Sequence, residues 1–263
     1  MRGRQIPFDG MAVDMTIDNG AVRLNPVSFQ VGRGRISGEI ALNPQENGAL
    51  HARADIQFQR VDLARLMQPT GFQGDGLIGG RARIDGSGKS LADILGSGNG
   101  ALSLSMAGGG NLSALLVDLS GARLGNALLS SLKLPDRTQV ECFVADFALR
   151  RGVLDSRALL LDTEQVLISG DGKIDLGRER LDYRLRADSK HFTVGQLPTP
   201  ITLGGTFRNP DIGVDATESA ARGGAAVGLG LLAGPLAILP TIQFGIGDDN
   251  RCQGLVSRGR RGG

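Results

Sequence analysis

The chain has 263 residues, with 29 basic and 27 acidic side chains closely interspersed for a net charge of +2. That pattern leaves no basic stripe for a phosphate backbone and argues against nucleic acid. Aromatics make up 4% of the residues, with no Trp and one Tyr, while Gly reaches 41, a composition suited to many turns and bulges between short elements.

The opening "MRGRQIPFDG" starts positive but has no apolar run behind it, so it carries no secretory signal of its own. Both a cytosolic protein and a piece of a longer chain fit that start. From Gly10 to Phe58 apolar and polar residues alternate with period two. Val22 and Leu24 stand against Arg23 and Asn25. Leu50, Ala52, Ala54, Ile56 and Phe58 stand against His51, Arg53, Asp55 and Gln57. Such alternation predicts half-buried strands. The turn clusters "DNG" (Asp18 to Gly20), "GRG" (Gly32 to Gly34) and "NPQENG" (Asn43 to Gly48) suit antiparallel hairpins and leave no room for crossover helices.

In "VDLARLM", Leu63 and Leu66 suggest a short helix. "GDGLIG", Gly74 to Gly79, formally fits the dinucleotide fingerprint, but a helix should begin there and "LIGGRARID" instead reads as a strand. "DGSGKS", Asp85 to Ser90, resembles the end of a phosphate-binding loop. Arg83 stands where the first glycine is required, so Lys89 reads as an exposed turn residue. No nucleotide is expected. Ser90 followed by Asp93 in "SLADIL" is a capping box ahead of a helical turn. Ile78, Ala82 and Ile84, and then Leu102, Leu104 and Met106, continue the alternating apolar faces. "NLSALLVDL" from Asn111 spaces Leu112, Leu115, Leu116 and Leu119 on one helical face, so the short helices read as plugs between strands.

Alternation returns in "CFVADFALRRGVLDSRALLLDT", "VLISGDGKIDL" and "RLDYRLRADS", where Leu181, Tyr183 and Leu185 alternate with Asp182, Arg184 and Arg186. Runs of about ten residues at ~3.4 Å each give strands near ~34 Å, longer than usual. The expected fold is mainly β, a long antiparallel meander curled into an open groove, with a few short inserted helices and an apolar helical C-terminal tail.

That tail, "GGAAVGLGLLAGPLAILPTIQFGIG" between Arg222 and Asp248, has no charged side chain. Pro235, Pro240 and the glycines argue for a broken arrangement. A plug on the end of the sheet is the leading reading, ahead of interfacial membrane contact and a true span. Three segments are expected: 1–60, a groove segment continuous with sequence upstream; 61–215, a β-rich region with short helices; and 216–263, the apolar tail with a basic end.

Cys142, Cys252, His51 and His191 are isolated and match no metal-ligand spacing. One disulfide is allowed in an oxidising compartment, but two cysteines do not show that it forms. Neither histidine lies in a motif with a mechanism. No catalytic residue, cofactor or metal site is assigned, and the chain is not expected to be an enzyme.

The ordered run "GDGLIGGRARIDGSGKSLADILGSGNGALSLSMAGGGNLSALLVDL", "FALRRGVLDSRALLLDTEQVLISGDGKIDLGRERLDYRLRA" and "ITLGGTFRNPDIGVD", with the ending "LPTIQFGIGDDNRCQGL", resembles the C-terminal region of the AsmA family of Gram-negative envelope proteins. The similarity runs from about Leu50 to Leu255. It implies a periplasmic protein, anchored in the inner membrane in the full-length family, that supports outer-membrane integrity and protein assembly. It also implies similarity to bridge-like lipid transfer proteins, whose curled sheet presents an apolar groove to phospholipid chains. The family's N-terminal membrane helix and most of its groove have no counterpart here, so the chain reads as a fragment or a truncated relative.

On that resemblance the candidate lipid-lining residues are Leu50, Ala52, Ala54, Ile56 and Phe58; Ile78, Ala82 and Ile84; Leu102, Leu104 and Met106; and Leu181, Tyr183 and Leu185. Phospholipid is the candidate partner, with the membrane surface through the tail and outer-membrane assembly components as further ones. The plainer reading of these residues is a closed core packed on the helices. The alternative function is a structural or assembly factor that holds partners through sheet edges or the apolar tail.

Overall fold

The computed structural model describes residues 9–66, 76–111, 139–190 and 200–214. Twelve strands form one sheet in strict sequence order, each antiparallel to the next. They are β1 Gly10–Asp18, β2 Ala21–Val31, β3 Gly34–Pro44, β4 Leu50–Asp62, β5 Leu77–Gly88, β6 Asn99–Asn111, β7 Gln139–Arg150, β8 Val153–Thr163, β9 Val166–Asp175, β10 Arg180–Ser189, β11 Ile201–Gly205 and β12 Pro210–Val214. The expected meander is the fold. β1 and β12 form its two edges and do not pair with each other.

Two short helices, α1 Leu63–Leu66 and α2 Leu91–Ser97, fall where the sequence predicted them. Asn111, the expected start of a further helix, instead ends β6. The rest of that helix and the apolar tail lie outside the described residues. Lys89 is exposed at the bend between β5 and α2, and "RARID" lies within β5, as the strand reading of both glycine motifs requires.

The α2 N-terminus is closed as its sequence dictates. The Ser90 hydroxyl accepts from the Asp93 amide at 3.1 Å, and the Asp93 carboxylate accepts from the Ser90 amide at 3.1 Å. α2 is inserted between β5 and β6, as the sequence predicted. None of its residues is fully buried: Ile94 and Leu95 are half-buried and Leu91 is 72% exposed. It also docks through backbone. The Gly152 amide donates to the Gly98 carbonyl at 2.9 Å, and a Cβ on Gly88 would run into Asp93 and the Ile94 backbone. A seven-residue helix has little area to bury, so glycines that admit close backbone approach hold it.

The sheet curls strongly. Met106 of β6, Val140 of β7, Ile168 of β9 and Ile201 of β11 share one buried cluster with Leu63 of α1. On a flat sheet, with strands about 4.8 Å apart, β6 and β11 would lie roughly 24 Å from each other. Phe147 of β7 and Tyr183 of β10, about 14 Å apart on a flat sheet, have ring centroids only 6.5 Å apart, so the C-terminal half curls its apolar face inward.

Ser90→Ala removes one arm of the capping box. The expected cost is about 1 kcal/mol, read as a lower urea midpoint with the slope unchanged.

Candidate functional site: the concave apolar face

The register decides which side chains share a face, because side chains on a strand alternate strictly. Across β4, β5, β6 and β7, Ala54 pairs with Ile84, Ile56 with Ala82 and Phe58 with Gly80. Ile78 then pairs with Met106, Gly80 with Leu104 and Ala82 with Leu102, and Leu102 with Phe147, Leu104 with Ala145 and Met106 with Phe143. Every one of these lies on one side of the sheet. The line continues through Leu161 and Ile168 to Ala187, and Leu203 pairs with both Tyr183 and Ile212. All the candidate lining residues, from Leu50 to Leu185, therefore belong to a single apolar face.

Several bulges keep that face in phase. In β2 the step from Leu24 to Val27 opposes only two residues of β1 and of β3. In β4 the step from Phe58 to Val61 does the same against β5. At each place the sequence carries one extra residue, and without a bulge every side chain beyond it would switch faces. Pro26 sits inside the β2 bulge, where its missing N–H costs no ladder bond.

The face is not uniformly filled. Around Tyr183, Ala145 and Phe147 are buried, with Leu102, Leu104, Leu159, Leu185 and Leu203 packed against them. Met106 and Tyr183 are buried, and Leu102, Leu104 and Leu185, themselves half-buried, pack against these clusters. Ala54, Ile56, Phe58, Ala82 and Ile84 are half-buried, Leu181 likewise, and Leu50 is exposed. On β1 the face lies open, with Met11 70%, Met15 62% and Ile17 64% exposed. The sequence reading missed these, together with Phe29, Phe143, Phe147 and Ile174, although they follow the same alternation.

One polar pair sits in the filled part. The Tyr183 hydroxyl and Ser156 Oγ are 2.8 Å apart, and the Tyr183 ring lies 6.5 Å from that of Phe147 at an interplanar angle of 52°. The ring reaches across β9 because Gly170 has no side chain: a Cβ there would stand 2.7 Å from the ring and 2.6 Å from Leu159. Burial pushes the phenol up to about 12, despite its hydrogen bond with Ser156. Nothing in the sequence marks Ser156 as the partner; only the register brings it opposite Phe147.

The opposite, convex face carries a ladder of cross-strand ion pairs. Arg81 grips Asp55 through Nε and Nη2, and that hydrogen bonding holds the Asp55 carboxyl below its usual range although burial opposes it. Arg53 binds Asp85 at 2.6 Å. His51 Nδ1 is 3.0 Å from Ser87 Oγ, and its Nε2 is 3.5 Å from Asp85. These are the residue types of a nucleophile relay. However, His51 and Ser87 are directly opposed strand neighbours and Asp85 is already taken by Arg53, so the trio belongs to the ladder. Each such exposed pair contributes at most about 1 kcal/mol. Among the described residues no group of three or more His, Cys, Asp or Glu could hold a metal ion, and no helix is long and apolar enough to cross a membrane.

The AsmA family model matches residues 2–159, from the N-terminal strands through most of β8. The chain belongs to the AsmA family. It is also similar to "AsmA family protein YhjG" of Escherichia coli (strain K12), being 32% identical over 259 residues that make up 97% of this chain and 38% of that protein. The chain thus spans well under half the length of this relative. No solved structure matches it.

With one tyrosine and no Trp, absorbance at 295 nm follows Tyr183 alone. Its native titration midpoint is expected near 12, against about 10 in urea. A phenol raised on folding stabilises the fold fully below the unfolded value. That contribution disappears as pH rises from about 10 towards 12. Tyr183→Phe should therefore flatten the alkaline limb of the stability profile.

Proposed function

We propose that the concave face is a groove for phospholipid acyl chains and that the chain forms part of an envelope protein moving phospholipid between the inner and outer membranes, in support of outer-membrane biogenesis. Its place would be the periplasm, at the inner membrane. The observation that carries the proposal is the continuity of the apolar face across all twelve strands, combined with its opening towards β1.

A saturated chain of about sixteen carbons gains on the order of 12 kcal/mol from leaving water, at ~0.8 kcal/mol per methylene. Sliding without repeated loss of that energy requires a lining with no polar interruption. Side chains two residues apart on a strand recur every ~7 Å, and strands every ~4.8 Å. The half-buried set Ala54, Ile56, Phe58, Ala82 and Ile84, backed by Ile36, Ile40 and Leu42 on β3, supplies such a lining where the protein's own clusters do not fill it. The competing reading, a partner-docking role without lipid, draws on the same open edge: β1 offers both unpaired backbone groups and exposed apolar side chains.

The two readings separate on lipid retention by the intact protein. Purified under mild conditions, it should carry phospholipid detectable by native mass spectrometry. Ile56→Asp and Ala82→Asp, directly opposed on β4 and β5, should each reduce that load several-fold, since an unpaired buried carboxylate costs several kcal/mol. Gln57→Asp, on the convex face, should leave it unchanged. A folded wild type without lipid, or lipid retained by both groove variants, would overturn the proposal and favour docking.

A further inference from the structure

The convex face departs from its own pattern at one place. Elsewhere it is charged and largely open to solvent, whereas on β7 and β8 its outward side chains Cys142, Val144, Ala148, Ala158 and Leu160 are buried, with Asp146 and Asp162 buried among them. Their outward direction follows from the register, which pairs Val144 with Ser105 and Leu160, and Ala158 with Asp146, while Phe143 and Leu161 point into the concave clusters. Of the described helices, α1 joins the concave cluster through Leu63 and α2 lies over Gly86 and Gly88 on the same concave side of β5, so neither accounts for this cover.

Cys142 is disulfide-bonded, and the only other cysteine in the sequence is Cys252. We propose that the C-terminal segment docks on the convex face of β6 to β8, tethered by a Cys142–Cys252 disulfide, with its uncharged stretch lying over Val144, Ala148, Ala158 and Leu160. The dimensions agree. From Cys142 to Ala148 the patch is about 20 Å long and three strands wide. The residues between Phe244 and Cys252 can reach across roughly 25 Å when extended. The composition agrees as well: from Gly223 to Gly247 the segment has no charged side chain, so it can cover apolar surface without burying an unpaired charge. At the rim of the patch Lys190 binds Asp162 at 2.7 Å and Glu141 at 3.1 Å, which pairs the buried carboxylate of Asp162 beneath the cover. The proposed docking places the segment on the side of the sheet opposite the concave face. The bond also implies that the protein matures in an oxidising compartment.

A non-reducing tryptic digest of the monomeric full chain should yield one peptide pair joining Cys142 to Cys252. In the full chain carrying Cys252→Ser, the thiol of Cys142 should react with maleimide at least about tenfold more slowly than in urea, because the docked segment still shields it. Adding Phe244→Asp and Ile246→Asp to that variant should restore fast labelling while the far-UV circular dichroism of the sheet persists. A Cys142 bonded only between chains would overturn the tether. Continued protection after the aspartate substitutions would overturn the cover and assign it to residues 112–138. Neither readout depends on whether the groove holds lipid.

Discussion

Everything in this molecule depends on keeping one continuous hydrogen-bonded register in phase with the apolar alternation. With a side-chain period of two, a single extra residue anywhere would send the remainder of a strand's apolar set to the wrong face. The sequence contains such extra residues, and the fold absorbs each as a bulge. Leu24 and Val27 are three apart, an odd step that would separate them on a regular strand; the β2 bulge reunites them. Phe58 and Val61 repeat the case in β4. In β8, Arg157 is the extra residue between Ser156 and Ala158, and it is turned outward towards Asp146. Bulges also sharpen the local twist, so the device that preserves the face helps to curl it.

Curling has a steric cost on the concave side, where side chains of neighbouring strands converge. Glycine at chosen positions relieves it. Gly80 pairs with Phe58 on one side and Leu104 on the other, and Gly170 makes room for the Tyr183 ring. The large glycine content is therefore not only a matter of turns. Part of it lies within strands, where glycine is ordinarily unfavourable, and there it trades strand propensity for a tighter curve and a filled C-terminal core.

The strands, their pairing order and the membership of the apolar face are legible in the alternation itself, because period two is a local signal that register then propagates. The Ser90 and Asp93 capping box is equally local and equally readable. What escapes is non-local. That Phe147 and Tyr183 meet in a buried cluster, whereas Ile56 and Ala82 stay half-buried, depends on the curvature of the whole sheet, which no window of residues encodes. Ser156 meets Tyr183 across an intervening strand for the same reason. Outward apolar residues such as Val144 and Leu160 sit inside runs apolar on both faces, "CFVADFAL" and "ALLL", a pattern that signals burial on two sides. Read as such, they would have announced a second covered surface.

The burial gradient along the concave face gives the fold a direction. Around Tyr183 the face is covered in part by its own residues, with Leu159, Leu185 and Leu203 half-buried against the cluster. Towards β1 the same face is exposed, and its edge strand has backbone groups free to pair. Apolar side chains exposed in this way are unfavourable in water, and an unpaired flat edge invites another strand. Both are relieved by a partner that covers β1, either as an added strand or as an apolar surface. Under the proposed function, an acyl chain would rest against the half-buried stretch from β2 to β5 rather than against the more covered stretch around Tyr183.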